Sequence, residues 1–320
     1  MTGDHFYSFG PIILIFIDKL NAFFEENMNL LDSIGKTPLI KIQDNIYGKL
    51  ESLNPGGSIK DRPIKYIIED AERNCLIKPG DVIVEASSGN TGISLAMIGA
   101  AKGYKIKIIM PQNMSDERKK MIVGFGADLI LVGDGAFDEA ISLRDKMCAD
   151  NGWFTTNQFH NKLNIDCHRE QTGSEIVSNC LNLGLTPKIF ICGTGTGGTL
   201  MGIGAALKEV FPDVDLWAVE PLESPVMAGG KPGLHGIQGI GDGSKFLVDL
   251  NFVKGIVHIS TADAISEAKN LAATTGNFVG ISAGANSLAA KRWLENNTIK
   301  RDEAVITILC DRGERYLSIF

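Results

Sequence analysis

The chain has 320 residues, 44% of them hydrophobic and 22% charged, which is enough to bury a full core in one large domain or two smaller ones. Its net charge of −7 argues against a nucleic-acid partner, because neutralising phosphates takes a basic face. Six cysteines (Cys75, Cys148, Cys167, Cys180, Cys192 and Cys310) form no CxxC pair; such spacing points to reduced, mostly buried thiols acting as small apolar fillers, and to a cytoplasmic setting.

The first segment, residues 1–27, reads as an extension that packs on the body or on a partner, or is partly disordered. Its apolar run from Ile12 to Ile17 is too short to span a bilayer. Asp4 and His5 precede that run where a secretory signal would carry basic residues. Met28 offers an alternative start. Further on, short apolar runs alternate with amphipathic ones. Strands are expected over 82–85, 105–110, 129–132, 188–192, 216–220 and 304–309. Helices are expected over 91–101, 116–125, 137–149, 199–210, 262–274 and 284–295. This alternation predicts βαβ units and an α/β fold of mostly parallel, covered sheets. The polar, weakly periodic stretch over 154–167 is the expected crossing between two domains.

Glycine is over-represented, with 36 residues, and it clusters. The first cluster is Asn54-Pro55-Gly56-Gly57-Ser58-Ile59-Lys60-Asp61-Arg62, which presents one lysine at the head of a helical stretch. A lysine near a helix N-terminus and beside Arg62 sits in a positive environment, which favours the neutral amine that Schiff-base chemistry needs. The plain alternative is a solvated loop lysine. The second cluster, Ser87-Ser88-Gly89-Asn90-Thr91-Gly92, joins a strand to a helix. It suits either a carboxylate-binding turn or an ordinary helix cap.

The third cluster, Gly193-Thr194-Gly195-Thr196-Gly197-Gly198-Thr199, again links strand to helix and has the makings of a phosphate cradle. It also satisfies GxGxxG, with Glu220 about twenty residues on, so a nicotinamide-dependent dehydrogenase is a rival reading. Gly236-Ile237-Gln238-Gly239-Ile240-Gly241-Asp242-Gly243 is a loop without regular period. Gly280-Ile281-Ser282-Ala283-Gly284 again opens a helix, and Ser282 alone reads as a cap. His5, His160, His168, His235 and His258 show no ligand spacing, so no metal site is expected. No GxSxG elbow supports a hydrolase built on Ser87, Ser88 and His160.

Taken together and in this order, the clusters resemble the cysteine synthase (O-acetylserine sulfhydrylase) family of tryptophan-synthase-β-like pyridoxal-phosphate enzymes. The resemblance runs from Ile34-Gly35-Lys36-Thr37-Pro38-Leu39 to Asp311-Arg312-Gly313-Glu314-Arg315-Tyr316. It implies two domains with mostly parallel twisted sheets flanked by helices: a smaller one over 52–156, and a larger cofactor-binding one over 28–51 and 157–320. It implies that Lys60 carries pyridoxal 5'-phosphate as a Schiff base and that Gly195, Thr196, Gly197, Gly198 and Thr199 form its phosphate cup. By the same resemblance Asn90 bonds the phenolic oxygen, and Ser282 faces the pyridine nitrogen. Ser87, Ser88, Thr91 and Gln158 would grip the substrate carboxylate, with Gly239 lining the site opposite.

The implied chemistry is β-elimination or β-replacement on O-acetylserine or L-cysteine, with the freed Lys60 as base for the α-proton. A serine at the ring nitrogen does not hold that nitrogen protonated, which suits β-elimination over transamination. A homodimer is implied as well.

Two positions depart from the family. Ser87 replaces a usual threonine and keeps the hydroxyl. Asp242 follows Gly-Ile-Gly where a small apolar residue is usual. In the pocket it would repel hydrosulfide, attract the ammonium of an amino acid and act as a base; otherwise it is a solvated loop carboxylate. The alternative activity is therefore an L-cysteine-consuming enzyme that releases hydrogen sulfide, forming serine, pyruvate or lanthionine.

Overall fold

The structure is a computed structural model that describes residues 29–320 except Ser88, residues 135 and 136, and Asp242. The N-terminal extension lies outside the described residues. Every strand and helix anticipated from the alternation is present, with ends displaced by three residues or fewer.

In chain order, β1 (Leu39–Gln43) and β2 (Ile46–Leu50) form a hairpin that the sequence reading missed. Its turn places Asn45 at φ 62°, a conformation asparagine tolerates well. Then follow α1 (Asp61–Arg73), β3 (Val82–Ala86), α2 (Asn90–Lys102), β4 (Lys105–Pro111), α3 (Asp116–Gly124), β5 (Asp128–Val132) and α4 (Phe137–Asn151). The stretch expected as a crossing is extended only as far as Phe154, whose backbone pairs with Val82 and Val84. It turns helical at α5 (Leu163–Cys167) and continues through a π-helical turn, His168–Gly173, into α6 (Ser174–Leu183). The chain closes with β6 (Thr186–Gly193), α7 (Gly198–Val210), β7 (Asp215–Pro221), β8 (Gly255–Ile259), α8 (Thr261–Thr275), α9 (Ile281–Glu295) and β9 (Glu303–Leu309).

The strands divide into two sheets, one ordered β1-β2-β9-β6-β7-β8 and one ordered β3-β4-β5. All pairings are parallel except β1 with β2. Parallel strands buried on both faces need apolar side chains at successive positions, as β9 shows with Ala304, Val305 and Ile306 all buried. Along β6, Ile189 and Ile191 pack with α8 and α9 residues such as Leu271 and Ala285. Phe190 and Cys192 face the other way, toward Leu200 and Ile203 of α7. The smaller sheet repeats the scheme: Ile83 and Ile108 pack against Ile93 of α2, and Val84 and Ile109 against Ala140 of α4. Among the described residues no helix is long and apolar enough to cross a membrane.

Candidate active site

The glycine clusters, far apart in sequence, meet at one cleft at the C-terminal ends of β3 and β6. Lys60 lines it together with Ser87, Asn90 and Thr91 from the second cluster. Gly195, Thr196, Gly197 and Thr199 line it from the third, and Gln158, Gly239 and Ser282 complete the expected set. Gly198 opens α7 within the same turn. Ser88 and Asp242 lie outside the described residues.

Lys60 is held there by the turn that precedes it. Gly57, at φ 79°, donates to Asn54 O at 2.7 Å, and Ile59 N donates to Cys310 O at 2.9 Å. Arg62, expected to lend Lys60 positive surroundings, is a paired charge rather than an isolated one. Its guanidinium is buried between Glu51, at 2.7 and 2.8 Å, and Glu175, at 2.8 Å to each oxygen, so two carboxylates offset its charge. Lys49 adds a 2.6 Å bond to Glu175. Burial alone would raise the Glu175 carboxyl, but Arg62 and Lys49 outweigh it and hold the group down at about 2. Beside Lys60, burial pushes Asp61 up to about 6 despite its bonds from Ser94 and from Gly56 N.

Two hydroxyls of the second cluster, those of Ser87 and Thr91, are already engaged. Ser87 Oγ accepts from Gly89 N at 3.1 Å and Gly92 N at 2.9 Å, so it caps α2 as well as lining the cleft. Thr91 Oγ1 donates to Gln158 Oε1 at 2.7 Å. Ser282, by contrast, is not a cap. The N-cap of α9 is Gly280, and Ser282 sits buried in the first turn facing the cleft. At the third cluster Thr196 Oγ1 receives Asn164 Nδ2 at 3.0 Å and Gly198 N at 3.3 Å. Thr199 Oγ1 lies 3.3 Å from His168 Nε2, whose other ring nitrogen lies 3.0 Å from Thr172 Oγ1. Burial, with Lys60 and Arg62 nearby, pushes His168 well below its ordinary value, so it is neutral.

Glu220 decides against the dinucleotide reading from within the chain. Its carboxylate accepts from Met227 N at 2.8 Å and Ala228 N at 3.1 Å, and His258 Nε2 lies 3.1 Å away. The acid that would bind a ribose holds a loop instead.

Residues 30–311 match the family described as pyridoxal-phosphate dependent enzyme. A cysteine synthase of Staphylococcus aureus is 40% identical over 301 residues, covering 91% of this chain and 95% of that protein. The crystal structure of an O-ureido-L-serine synthase superposes with a TM-score of 0.85 at 38% identity, covering 91% of this chain and 93% of that one. A hydrogen sulfide-producing enzyme of Fusobacterium nucleatum also has a TM-score of 0.85, at 35% identity over 94% of this chain and 91% of its own. That structure is of an aspartate-to-asparagine mutant in complex with an α-aminoacrylate intermediate.

The chain belongs to the pyridoxal-phosphate dependent enzymes. It is a cysteine synthase-like member with the tryptophan-synthase-β-like fold, a lyase or transferase that uses pyridoxal phosphate. The cleft fits that cofactor. Gly197, at φ 88°, is the N-cap of α7 and brings no side-chain cap to the helix N-terminus, leaving a cradle for phosphate. A Cβ on Gly197 would stand 2.7 Å from Val248 Cγ2 and 2.8 Å from its backbone nitrogen, so no larger residue fits there. Asn90 Oδ1 is buried with no hydrogen-bond partner in the protein, as expected of an atom that meets a bound group.

Several cleft residues escaped the sequence reading. Arg118 reaches the cleft from α3, and Phe159 packs beside it against Phe246, with ring centroids 4.6 Å apart. Cys192 and Cys310, read as fillers, both line the wall, and Asn286 Nδ2 lies 3.5 Å from Cys310 Sγ. No local pattern flags these residues, since each becomes part of the site only when distant segments of the chain pack together. Of the six thiols, Cys167, Cys180 and Cys192 are buried and Cys148 and Cys310 partly so, while Cys75 is exposed.

Proposed function

We propose that this enzyme carries out β-elimination and β-replacement on O-acetylserine or L-cysteine, with Lys60 as the residue that bears the cofactor. The supporting observation is the convergence of Lys60, Asn90, the Gly195–Thr199 turn and Ser282 on one cleft, with Thr91 and Gln158 bonded to each other at its wall. Pyridoxal phosphate supplies the electron sink that acidifies the substrate α-carbon. Lys60 Nζ anchors it and, when free, takes the α-proton. Asn90 meets the phenolic oxygen, and Ser282 offers the ring nitrogen a neutral hydroxyl. The N–H groups opening α7, with Thr196 and Thr199, hold the phosphate. Ser87, Ser88, Thr91, Gln158 and Gly239 bind the amino-acid portion of the substrate.

A second reading, L-cysteine as the first substrate with release of sulfide, is favoured by Asp242. The residue before it, Gly241, is tied by its N–H to Thr194 O at 3.0 Å, and Gly239 and Ile240 line the cleft. A hydrogen sulfide-producing relative studied as an aspartate mutant strengthens that reading. The test is Asp242→Ala, assayed with L-cysteine alone and with O-acetylserine plus sulfide. Cysteine turnover is expected to fall at least about ten-fold more than O-acetylserine turnover, in line with loss of a specific charge contact. Equal losses would remove Asp242 from the chemistry and leave an ordinary cysteine synthase.

We further propose a division of the chain near residues 52 and 156, supported by the separate β3-β4-β5 sheet. A cytoplasmic homodimer is proposed as well. Its support is the exposure of apolar side chains on neighbouring helices, Leu181 of α6 at 58% and Val210 of α7 at 46%.

A further inference from the structure

Asp311 stands where three stretches assigned to the cofactor come together. Its backbone oxygen accepts from Gly280 N at 3.0 Å, at the start of the helix that carries Ser282. Its chain neighbours grip the Lys60 loop, Cys310 O accepting from Ile59 N at 2.9 Å and Arg312 N donating to Gly57 O at 3.2 Å. Its side chain reaches the third stretch, where Asp311 Oδ2 accepts from Asn90 Nδ2 at 2.7 Å.

The same carboxylate oxygen accepts from the Tyr316 hydroxyl at 2.7 Å. That hydroxyl accepts in turn from an Arg118 terminal nitrogen at 2.8 Å, with the guanidinium 5.0 Å from the ring centroid. Arg118 also donates to Gln238 of the glycine loop. Asp311, Tyr316 and Arg118 are all buried.

A primary amide has nearly the same shape whichever way round it sits, so packing alone does not choose which end faces a ligand. An ionised carboxylate only accepts, and it therefore forces Nδ2 of Asn90 toward itself. One Nδ2 hydrogen is used at Asp311. The second, and the partnerless Oδ1, are left for a group in the cleft.

We propose that Asp311 is a positioning residue that fixes the Asn90 amide so that its second N–H meets the phenolic oxygen of pyridoxal phosphate, with Tyr316 and Arg118 holding Asp311. The proposal rests on the reading of Asn90 given above.

The test is titration of apoenzyme with pyridoxal phosphate, following the dissociation constant and the visible band of the bound cofactor. The proteins compared are the unsubstituted enzyme, Asp311→Asn, Asn90→Ala and the double variant. Asparagine at 311 keeps the size but donates as well as accepts, which frees the Asn90 amide to turn over. Asp311→Asn is expected to weaken cofactor binding about ten-fold or more and to shift the visible band, the scale of one charge-assisted hydrogen bond. In the Asn90→Ala background the same substitution is expected to change affinity by less than about two-fold.

Equal losses in both backgrounds, or no loss in either, would overturn the role of Asp311. Tyr316→Phe, which keeps the ring and removes the donor, covers the case in which Asp311→Asn fails to fold. It should weaken binding a few-fold, again only where Asn90 is present, and an Asn90-independent loss counts against the proposal. An unsubstituted apoenzyme that takes up no cofactor would instead defeat the reading of the cleft itself.

Discussion

Asp61 follows Lys60 directly and is fully buried, with its carboxyl pushed up to about 6 from an ordinary value near 3.8. The folded chain therefore holds a proton there more tightly than the unfolded one. That contribution to stability is complete below about pH 4 and is lost as the pH rises through about 6. A rise of this size corresponds to about 3 kcal/mol. Asp61→Asn, which cannot ionise, should remove the decline. The stability of wild type relative to the variant is expected to fall by about 2–3 kcal/mol between pH 4 and pH 7, measured by denaturant unfolding. A difference that does not change with pH would show that Asp61 ionises in the folded state as it does in water. Arg62, one position further on, shows how proximity in sequence misleads. It looked like the source of positive potential at Lys60, yet Glu51 and Glu175 arrive from residues 11 and 113 positions away to neutralise it.

At the scale of elements, the third cluster illustrates why much of the site was legible. Glycine at a strand-to-helix turn marks a backbone that must come close to something, and the structure supplies that something in Val248 and in the open N-terminus of α7. Gly197→Ala would meet both a strained positive φ and the Val248 backbone. It is expected to cost about 1–3 kcal/mol in thermal or denaturant unfolding and to weaken cofactor binding. Unchanged stability and binding would mean that the turn relaxes freely.

Elements without such punctuation were harder to read. β1 is a five-residue strand that mixes exposed and partly buried positions, β2 is equally short and carries Gly48 and Lys49 among its buried positions, and β8 is only half-buried along most of its length. None of them carries the solid apolar signal of β9. The helical stretch from α5 to α6 was obscured because its polar side chains, among them Asn164 and His168, are buried to serve Thr196 and Thr199. Burial of polar residues for a site erases the periodicity that reveals a helix.

At the scale of the molecule, two mostly parallel sheets present their loops to a shared cleft, an arrangement implied by the family resemblance that the glycine clusters carry. What a single sequence withheld was the closure of the site by distant residues. Arg118, Asp311 and Tyr316 are separated by up to 198 positions and become neighbours only when the chain is folded. The exposed Leu181 and Val210 on α6 and α7 belong to the same scale. Sedimentation at micromolar concentration is expected to give twice the chain mass of 34.5 kDa, and a monomer under those conditions would remove the proposed dimer.

The assignment of Lys60 is tested most directly by reducing the cofactor-loaded enzyme with borohydride and locating the phosphopyridoxyl group by peptide mass spectrometry. The predicted result is a single labelled lysine, Lys60, with the label absent from Lys60→Ala. A label on another lysine, or one that persists in Lys60→Ala, would contradict it.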